Sequence, residues 1–568
     1  MDDLDGQLLH QASLWSRMDP DPDTRAEIAK HVADEDQGWL SEHFGHPLTF
    51  GTAGIRGPLG PGAARMNQAQ VCLVAKALAD TLDIGGVDGP VVVAHDARRE
   101  SPGFARDIAA VLRRRGRGVI ACRGPVATPV ASWVARTHEA PAAVVVTASH
   151  NPIGDAGVKV FGPNGAQVIP PQDGLIRAAM DASVGLKELA DHAPDALEPE
   201  PAGEGRGGLV LVEDAHGDYE EVELLRQDLV EPPGLLVATS ALHGVAGGSV
   251  VRLLEGAGHR VHPVEAQQDP DPTFPTLTNP NPEDPVTLEL LLAEARDVGA
   301  DLALANDPDG DRLAVAVPVE EGWRILSGNE IGILLADHLL TERSLLVTTV
   351  VSTPLVDALA RAREAICLRT WTGFKWIAAA IDWAERTTGA VPTLGFEEAL
   401  GFCVGDVVRD KDGIRAATAV AGMAAALRRQ GQSLVDRLAR LQEEFGVWVS
   451  ESVSLPAPSG TADELIDRLV GSPPDQIDGR AVVRVIDHRQ PVVDELLWTE
   501  QPPAIIAEVR ADGARLLVRP SGTEPKVKLY AHLHQPADGD PNGVAESLST
   551  RARAVLAAAS DDLGLATG

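Results

Sequence analysis

No run of about 18 apolar residues occurs in the 568-residue chain, so a helix that spans a bilayer is not expected. Cysteine is scarce. Cys72, Cys122, Cys367 and Cys403 stand far apart with no C-x-x-C pair, which argues against a disulfide framework or a zinc site and fits a reduced, cytoplasmic protein. The opening residues, MDDLDGQLLH, are acidic and polar, unlike a secretory signal. No G-x-x-x-x-G-K-[ST] sequence is present, which disfavours ATP-dependent phosphoryl transfer. No G-x-S-x-G frame is present either, so no serine sits on a hydrolase nucleophile elbow. Positive charge is in short supply: the net charge is −34, which repels nucleic acid and anionic membranes, and neither is expected as a partner. Only eight lysines occur; Lys375, Lys411, Lys526 and Lys528 fall inside the loops described next and Lys159 follows just after one of them, as an anionic substrate would explain.

What is there reads as α/β. The stretch PVVVAHD reads as a buried strand, SPGFARDIAAVLRRRG as a helix capped by Ser101 with Pro102 in its first turn, and GVIAC and PAAVVVTASHNP as further strands. The alternation implies a largely parallel sheet. Residues 187–216, rich in Pro, Gly and acid, read as a linker or surface excursion. The pattern restarts near residue 233 and again near 326, and from about residue 446 strands with fewer helices suggest an α+β unit. The expected division is 1–215, 216–322, 323–445 and 446–568: three mixed or parallel α/β domains and a C-terminal α+β domain.

Each unit carries a distinctive loop. The first has GTAGIRG (51–57), whose small residues surround Arg56, and TASHNP (147–152), where Thr, Ser, His and Asn crowd a strand end. In an extended chain His150 would point away from Ser149, which argues against a nucleophile–base pair. The second has NDPDGDR (306–312). Asp307, Asp309 and Asp311 alternate, so an extended loop would turn all three carboxylates to one side, where a cation must neutralise them; hard oxygen donors of this kind suit Mg²⁺. An EF-hand is excluded, because the glycine falls at loop position four instead of six. The acidic DPDPDTR (19–25) and DPDPTFP (269–275) follow no buried strand and read as turns. The third unit has TGFKW (372–376), GFEEALG (395–401) and RDKDG (409–413), with Glu397 and Glu398 able to accept from sugar hydroxyls and Lys375 able to pair with phosphate. The fourth has RPSGTEPKVK (519–528), an anion nest built from Arg519, Ser521, Gly522, Thr523 and Lys526.

In this order, these motifs resemble the α-D-phosphohexomutase superfamily along essentially the whole chain. The resemblance implies four domains around a central cleft and a phosphosugar mutase that works through a phosphoserine and a bisphosphate intermediate. It makes Ser149 the phosphate carrier and Asp307, Asp309 and Asp311, with a phosphoserine oxygen, the holders of one Mg²⁺. Arg56 and Lys159 become the acid/base candidates beside the transferred phosphoryl group, with His150 counted in the same catalytic set. Arg312, Thr372, Gly373, Lys375, Glu397 and Glu398 become substrate contacts, and Arg519, Ser521, Gly522, Thr523 and Lys526 the holders of the non-reacting phosphate. Glucose 1,6-bisphosphate is the expected activator. Two departures bear on the substrate: Ala399 stands where the sugar loop often has Ser, and Ala156-Gly157 replaces the usual Asn-Gly. The form GFEEALG…DKDG resembles a branch that includes phosphopentomutases and glucose-1,6-bisphosphate synthases. Glucose phosphates are the favoured substrates, with mannose and pentose phosphates, a bisphosphate synthase, a phosphatase and a non-catalytic sugar-phosphate binder as alternatives.

Overall fold

The computed structural model describes residues 2–51, 54–181, 207–226, 234–457, 461–492, 494–520, 526–537 and 540–565. The chain forms two compact units, residues 1–325 with 407–421, and residues 326–406 with 422–568.

The first unit opens with three helices, Asp2–Met18, Pro22–Ala33 and Gln37–Phe44, around a small core of Leu8, Ala12, Ile28, Leu40 and Phe44. The DPDPDTR stretch is a turn and cap: the Asp21 carboxylate accepts from the N–H groups of Asp23 and Thr24, and Pro22 occupies the first helical position, where its missing N–H costs nothing. A six-stranded sheet follows, built from β1 (Gly54–Pro58), β2 (Val91–His95), β3 (Val119–Cys122), β4 (Ala142–Val146), β5 (Asp155–Phe161) and β6 (Leu209–Val212), in the order β1-β5-β4-β2-β3-β6. The four strands β4-β2-β3-β6 run parallel, while β5 is antiparallel to both β4 and β1. The continuous apolar runs VVVAH and AAVVV are buried at every position, as strands covered on both faces must be. Two local expectations need correction. Ser101 is the first residue of its helix rather than its cap, because its hydroxyl is taken by the buried Asp96 carboxylate at 2.6 Å. Leu209–Val212, inside the supposed linker, is the edge strand β6: the LVLV run finds a parallel partner in β3. Residues 187–206 of that stretch lie outside the described residues, and its last two, Ala215 and His216, open the helix Ala215–Leu224.

The second sheet is built from β7 (Leu236–Ser240), β8 (Arg260–Pro263), β9 (Leu302–Asn306), β10 (Leu313–Val319) and β11 (Gly322–Leu326), in the order β11-β10-β9-β7-β8. Its β7 is parallel to β8 and β9, and β9 turns back antiparallel into β10.

The second unit holds a four-stranded sheet of β12 (Ser344–Thr349), β13 (Ile366–Thr370), β14 (Val391–Glu397) and β15 (Gly401–Val404), in the order β13-β12-β14-β15. It also holds a six-stranded antiparallel sheet of β16 (Val447–Pro456), β17 (Gln476–Ile477), β18 (Arg480–Asp487), β19 (Ala507–Ala511), β20 (Ala514–Pro520) and β21 (Lys526–Gln535), in the order β16-β21-β20-β19-β18-β17. Helices Ala462–Gly471 and Pro541–Asp562 bury Leu465, Leu469, Leu548 and Leu556 against this sheet.

One rule places the loops that matter. In each of the three α/β sheets a central strand turns back into an antiparallel neighbour: β4 into β5 through residues 147–154, β9 into β10 through 307–312, and β14 into β15 through 398–400. The three turns hold TASHNP, DPDGDR and the EAL of GFEEALG. No helix among the described residues is long and apolar enough to cross a membrane.

Candidate active site

The acidic turn is built first by backbone. Gly310 N donates to Asp307 O at 2.9 Å, and Gly310 adopts φ +73°, which a side chain would strain. A Cβ there would also lie 2.9 Å from the Ala246 Cβ. The loop is thus a tight turn instead of the extended segment that alternation suggested, yet the outcome for the carboxylates is the same. Asp307, Asp309 and Asp311 each offer an oxygen within 4.8 Å of the others, and all three are fully buried.

Cations and donors take one side of these carboxylates. Lys159, on β5, donates to Asp309 Oδ2 at 2.6 Å and Asp311 Oδ2 at 2.7 Å. The Thr128 hydroxyl reaches Asp309 Oδ2 at 2.7 Å, and Lys411 lies 3.1 Å from Asp311 Oδ2. Asp307 accepts from Arg312 N at 2.9 Å on Oδ1 and from the Ser149 hydroxyl at 2.9 Å on Oδ2. The other side is bare: Asp309 Oδ1 and Asp311 Oδ1 are buried with no hydrogen-bond partner. Buried carboxylate oxygens without donors are costly unless a cation meets them, so the donor set fits a hard divalent ion such as Mg²⁺.

The electrostatics follow from this crowding. Burial and the carboxylates of Asp311 and Asp309 push Asp307 well above the usual carboxylate range. Burial acts against ionised Asp311 too, but Lys159, Lys411 and Arg312 outweigh it and hold its carboxyl well below that range. For Lys159, burial opposes the charge while Asp309 and Asp311 override it, so the ammonium is held protonated.

Ser149 is presented by a strained backbone. Its φ is +51°, unusual for a residue with a Cβ, and its neighbours enforce it. Ser149 N donates to the Thr147 hydroxyl at 2.8 Å. Arg98, buried, donates to four carbonyls of the loop: Ser149 and Asn151 at 2.7 Å each, Pro152 at 2.9 Å and Asp155 at 3.2 Å. The left-handed turn also corrects the expectation for His150. Its Nδ1 lies 3.2 Å from Ser149 Oγ, because adjacent side chains diverge only when the chain is extended. Burial and the positive charges of Arg312 and Arg56 push the His150 imidazole well below its ordinary value, so it is neutral. Arg56 is exposed on β1, opposite Gly157 of β5. A Cβ at Gly157 would come within 2.7 Å of Thr147 O and 2.9 Å of the Arg56 Cβ, so the glycine beside Ala156 lets the two strands and the serine loop meet. Arg312 pairs with Glu283.

The second unit collects the other expected residues. Glu397 ends β14 half-buried, and Glu398 Oε2 accepts from the Thr349 hydroxyl at 3.3 Å and the Ser352 hydroxyl at 3.5 Å. Thr372 and Gly373 (φ +110°) lead into helix Phe374–Thr388, and the buried Lys375 places its Nζ 4.8 Å from the Trp376 ring centre. Arg519 lies near the end of β20 and Lys526 starts β21; Ser521, Gly522 and Thr523 lie outside the described residues.

Sequence reasoning gave no role to Arg98 or Thr128, which act across long sequence distances. It singled out the RDKDG loop without assigning Lys411. The scarcity of lysine was the signal that could have found it, since Lys411 is one of only eight.

Comparison with known proteins gives this geometry its context. Four descriptions of the phosphoglucomutase/phosphomannomutase family match in order: alpha/beta/alpha domains I, II and III over residues 47–184, 220–320 and 327–445, and the C-terminal domain over 465–539. The chain belongs to this family. It is 33% identical over 490 residues to a Haemophilus influenzae protein named "Probable phosphomannomutase", covering 84% of this chain and 95% of that one. It is 31% identical over 591 residues to the phosphopentomutase of Mus musculus (96% and 93% covered). It is also 30% identical over 514 residues to a phosphoglucomutase of Staphylococcus aureus (87% and 91% covered). The fold is that of a phosphoglucomutase/phosphomannomutase family protein from Burkholderia thailandensis, with a TM-score of 0.66 at 23% identity over 90% of this chain and 97% of that one. The family member described here is accordingly a sugar-phosphate mutase, an isomerase that works by phosphoryl transfer.

Proposed function

We propose that this mutase interconverts glucose 1-phosphate and glucose 6-phosphate through phosphorylated Ser149 and a bound bisphosphate. The observation that carries the reading is the Ser149 hydroxyl 2.9 Å from Asp307, beside a buried carboxylate triplet with two bare oxygens. Mg²⁺ held by Asp307, Asp309 and Asp311 would neutralise charge on the phosphoryl oxygens. In the first transfer the bond from Ser149 Oγ to phosphorus breaks, and a sugar hydroxyl forms the new bond and gives up its proton. In the second, the other phosphate of the bisphosphate returns to Ser149 Oγ. Lys159 and Arg56, both positively charged, stabilise the transferring oxygens; neutral His150 is the member of this set able to take the sugar hydroxyl's proton, and protonated Lys159 is able to supply one to the sugar oxygen that the phosphoryl group leaves in the second transfer. Such a transfer asks a protein mainly for positioning and charge stabilisation. Arg312, Thr372, Gly373, Lys375, Glu397 and Glu398 contact the sugar monophosphate, and the loop from Arg519 to Lys526 holds the phosphate that is not reacting. Glucose 1,6-bisphosphate primes Ser149 and so activates the enzyme.

One observation favours a second substrate. Ala399 removes a hydroxyl from the sugar loop, and the phosphopentomutase relative is matched over 96% of this chain. A ribose 1-phosphate to 5-phosphate reaction is therefore the rival; mannose phosphate stands behind it. ³¹P NMR decides among them. The protein is given Mg²⁺, a trace of glucose 1,6-bisphosphate and equal glucose 1-phosphate, mannose 1-phosphate and ribose 1-phosphate. Glucose 6-phosphate appearing first supports the proposal, and ribose 5-phosphate appearing first replaces the substrate. Accumulating bisphosphate would indicate a synthase, and inorganic phosphate alone would overturn the mutase mechanism.

A further inference from the structure

The four-stranded sheet ends on β13, an edge whose free backbone groups need a cover. A segment of the C-terminal domain supplies it. Between β18 and β19 the chain leaves its own sheet and passes along β13. Arg369 N donates to Leu496 O at 2.6 Å and Trp498 N donates to Arg369 O at 2.9 Å, a parallel bridge of Leu497 to Arg369. Farther along, Trp371 N donates to Gln501 Oε1 at 2.9 Å and the Trp371 indole donates to Pro502 O at 2.6 Å. The Trp383 indole reaches Glu500 at 2.7 Å.

Both ends of this segment are fixed. On its own side, Asp494 accepts from Arg510 at 2.9 Å, and Arg510 and Arg515 each donate to the fully buried Glu508 at 2.6 Å. On the other, the Arg369 guanidinium donates to Thr349 O at 2.8 Å and Ser352 O at 3.2 Å, and these two residues hold Glu398 through their hydroxyls. The strand pinned by the bridge therefore leads forward to Thr372–Lys375 and sideways to Glu398.

We propose that Asp494–Pro502 is a positioning strap for substrate recognition, with Gln501 as its key positioning residue. By fixing the Trp371 amide, Gln501 sets the direction in which Thr372, Gly373 and Lys375 leave β13. The strap ties that loop to the sheet whose β20 carries Arg519. This rests on the reading of Thr372–Lys375 as substrate contacts.

The test uses the full chain and two variants. Gln501→Met keeps the side-chain length and removes the acceptor; Gln501→Glu keeps an acceptor oxygen. Hydrogen exchange of the peptide spanning residues 366–376 reads the strap, and steady-state kinetics with glucose 1-phosphate read its consequence. The expected result is faster exchange in Gln501→Met, with KM raised roughly five- to tenfold, the worth of one hydrogen bond, and kcat within about twofold. Gln501→Glu is expected to restore KM. Unchanged exchange in Gln501→Met would overturn the strap. Faster exchange with an unchanged KM would overturn its positioning role, provided that Lys375→Ala raises KM. If Lys375→Ala also leaves KM unchanged, the substrate-contact reading falls and takes the positioning role with it, while the exchange result stands by itself.

Discussion

The turns Asp307–Arg312 and Glu398–Leu400 occupy the same place in two sheets, each closing an antiparallel hairpin after a central strand, and they are wired differently. The carboxylates of the acidic turn are fully buried, fixed by two lysines, a threonine, a serine and a backbone N–H, with two oxygens left bare. The glutamate turn is half-buried, and Glu398 accepts from two neutral hydroxyls at 3.3 and 3.5 Å. Fixed buried charge suits a step whose transition state must be stabilised without reorganisation. Longer contacts from hydroxyls suit recognition of a sugar, where each hydrogen bond contributes about 1 kcal/mol. On the proposed function, one topological position would thus serve two tasks according to what surrounds it.

The sharpest way to break this comparison is to neutralise one acid in each turn. Asp309→Asn is expected to lower kcat by roughly 10³-fold and to raise the Mg²⁺ concentration needed for half-maximal rate, because it removes charge where the transfer develops it. Glu398→Gln is expected to raise KM about tenfold with kcat changed much less. Steady-state kinetics across a Mg²⁺ titration measure both; equal effects on kcat would erase the distinction.

A smaller effect is expected at Arg98, which touches neither turn and shapes the serine loop. Arg98→Lys keeps the charge but cannot reach four carbonyls at once. It is expected to lower kcat by about 10- to 100-fold with KM nearly unchanged, and to slow Ser149 phosphorylation by glucose 1,6-bisphosphate as followed by intact mass. A change confined to KM would reassign Arg98 to substrate binding.

Backbone freedom offers a third contrast. Gly310 and Gly373 both adopt positive φ, +73° and +110°. A Cβ on Gly310 would meet Ala246 at 2.9 Å, whereas one on Gly373 meets nothing nearer than 4.0 Å. Gly310→Ala is expected to cost about 3 kcal/mol and Gly373→Ala about 1 kcal/mol, read as separate losses in Tm.

How much of this was legible in the sequence depends on the range over which each feature is built. The apolar runs VVVAH and LALAN declare buried strands by themselves, and both are buried at every residue. The acidic triplet was legible as a cluster, although the reason given was wrong: a proline–glycine turn gathers the carboxylates, not strand alternation. His150 was misjudged because the left-handed φ of Ser149 is imposed by Arg98, 51 residues away, and local pattern carries no trace of that. Lys411 reaches Asp311 from 100 positions along the chain, and the strap from Asp494 to Pro502 has no periodicity of its own. Such features exist only once the fold has brought distant segments together.

A pH-dependent pair tests whether the contrast in buried charge extends beyond the turns. In the first unit, burial pushes Asp107 up to about 6, against 3.8 for an ordinary aspartate, with the Gln68 amide at 2.8 Å only partly offsetting it. In the second, burial opposes ionised Glu508, but Arg515, His488 and Arg510 hold it well below the usual range. The signs are opposite. Between about pH 4 and 6 the folded state binds more protons at Asp107 than the unfolded state does, so its contribution to stability falls as pH rises through that window. At Glu508 the stabilisation is complete above the unfolded value and is lost only as pH falls toward the depressed folded one. Asp107→Asn is therefore expected to raise Tm at pH 7.5, by an amount worth at most about 3 kcal/mol, and to raise it clearly less at pH 4.5. Glu508→Gln is expected to lower Tm at both, because it removes the buried carboxylate shared by two half-buried guanidinium groups. Thermal melts of the two variants at these two pH values check the signs, and a gain from Asp107→Asn that is undiminished at pH 4.5 would mean that repacking, not the carboxylate's charge, is responsible.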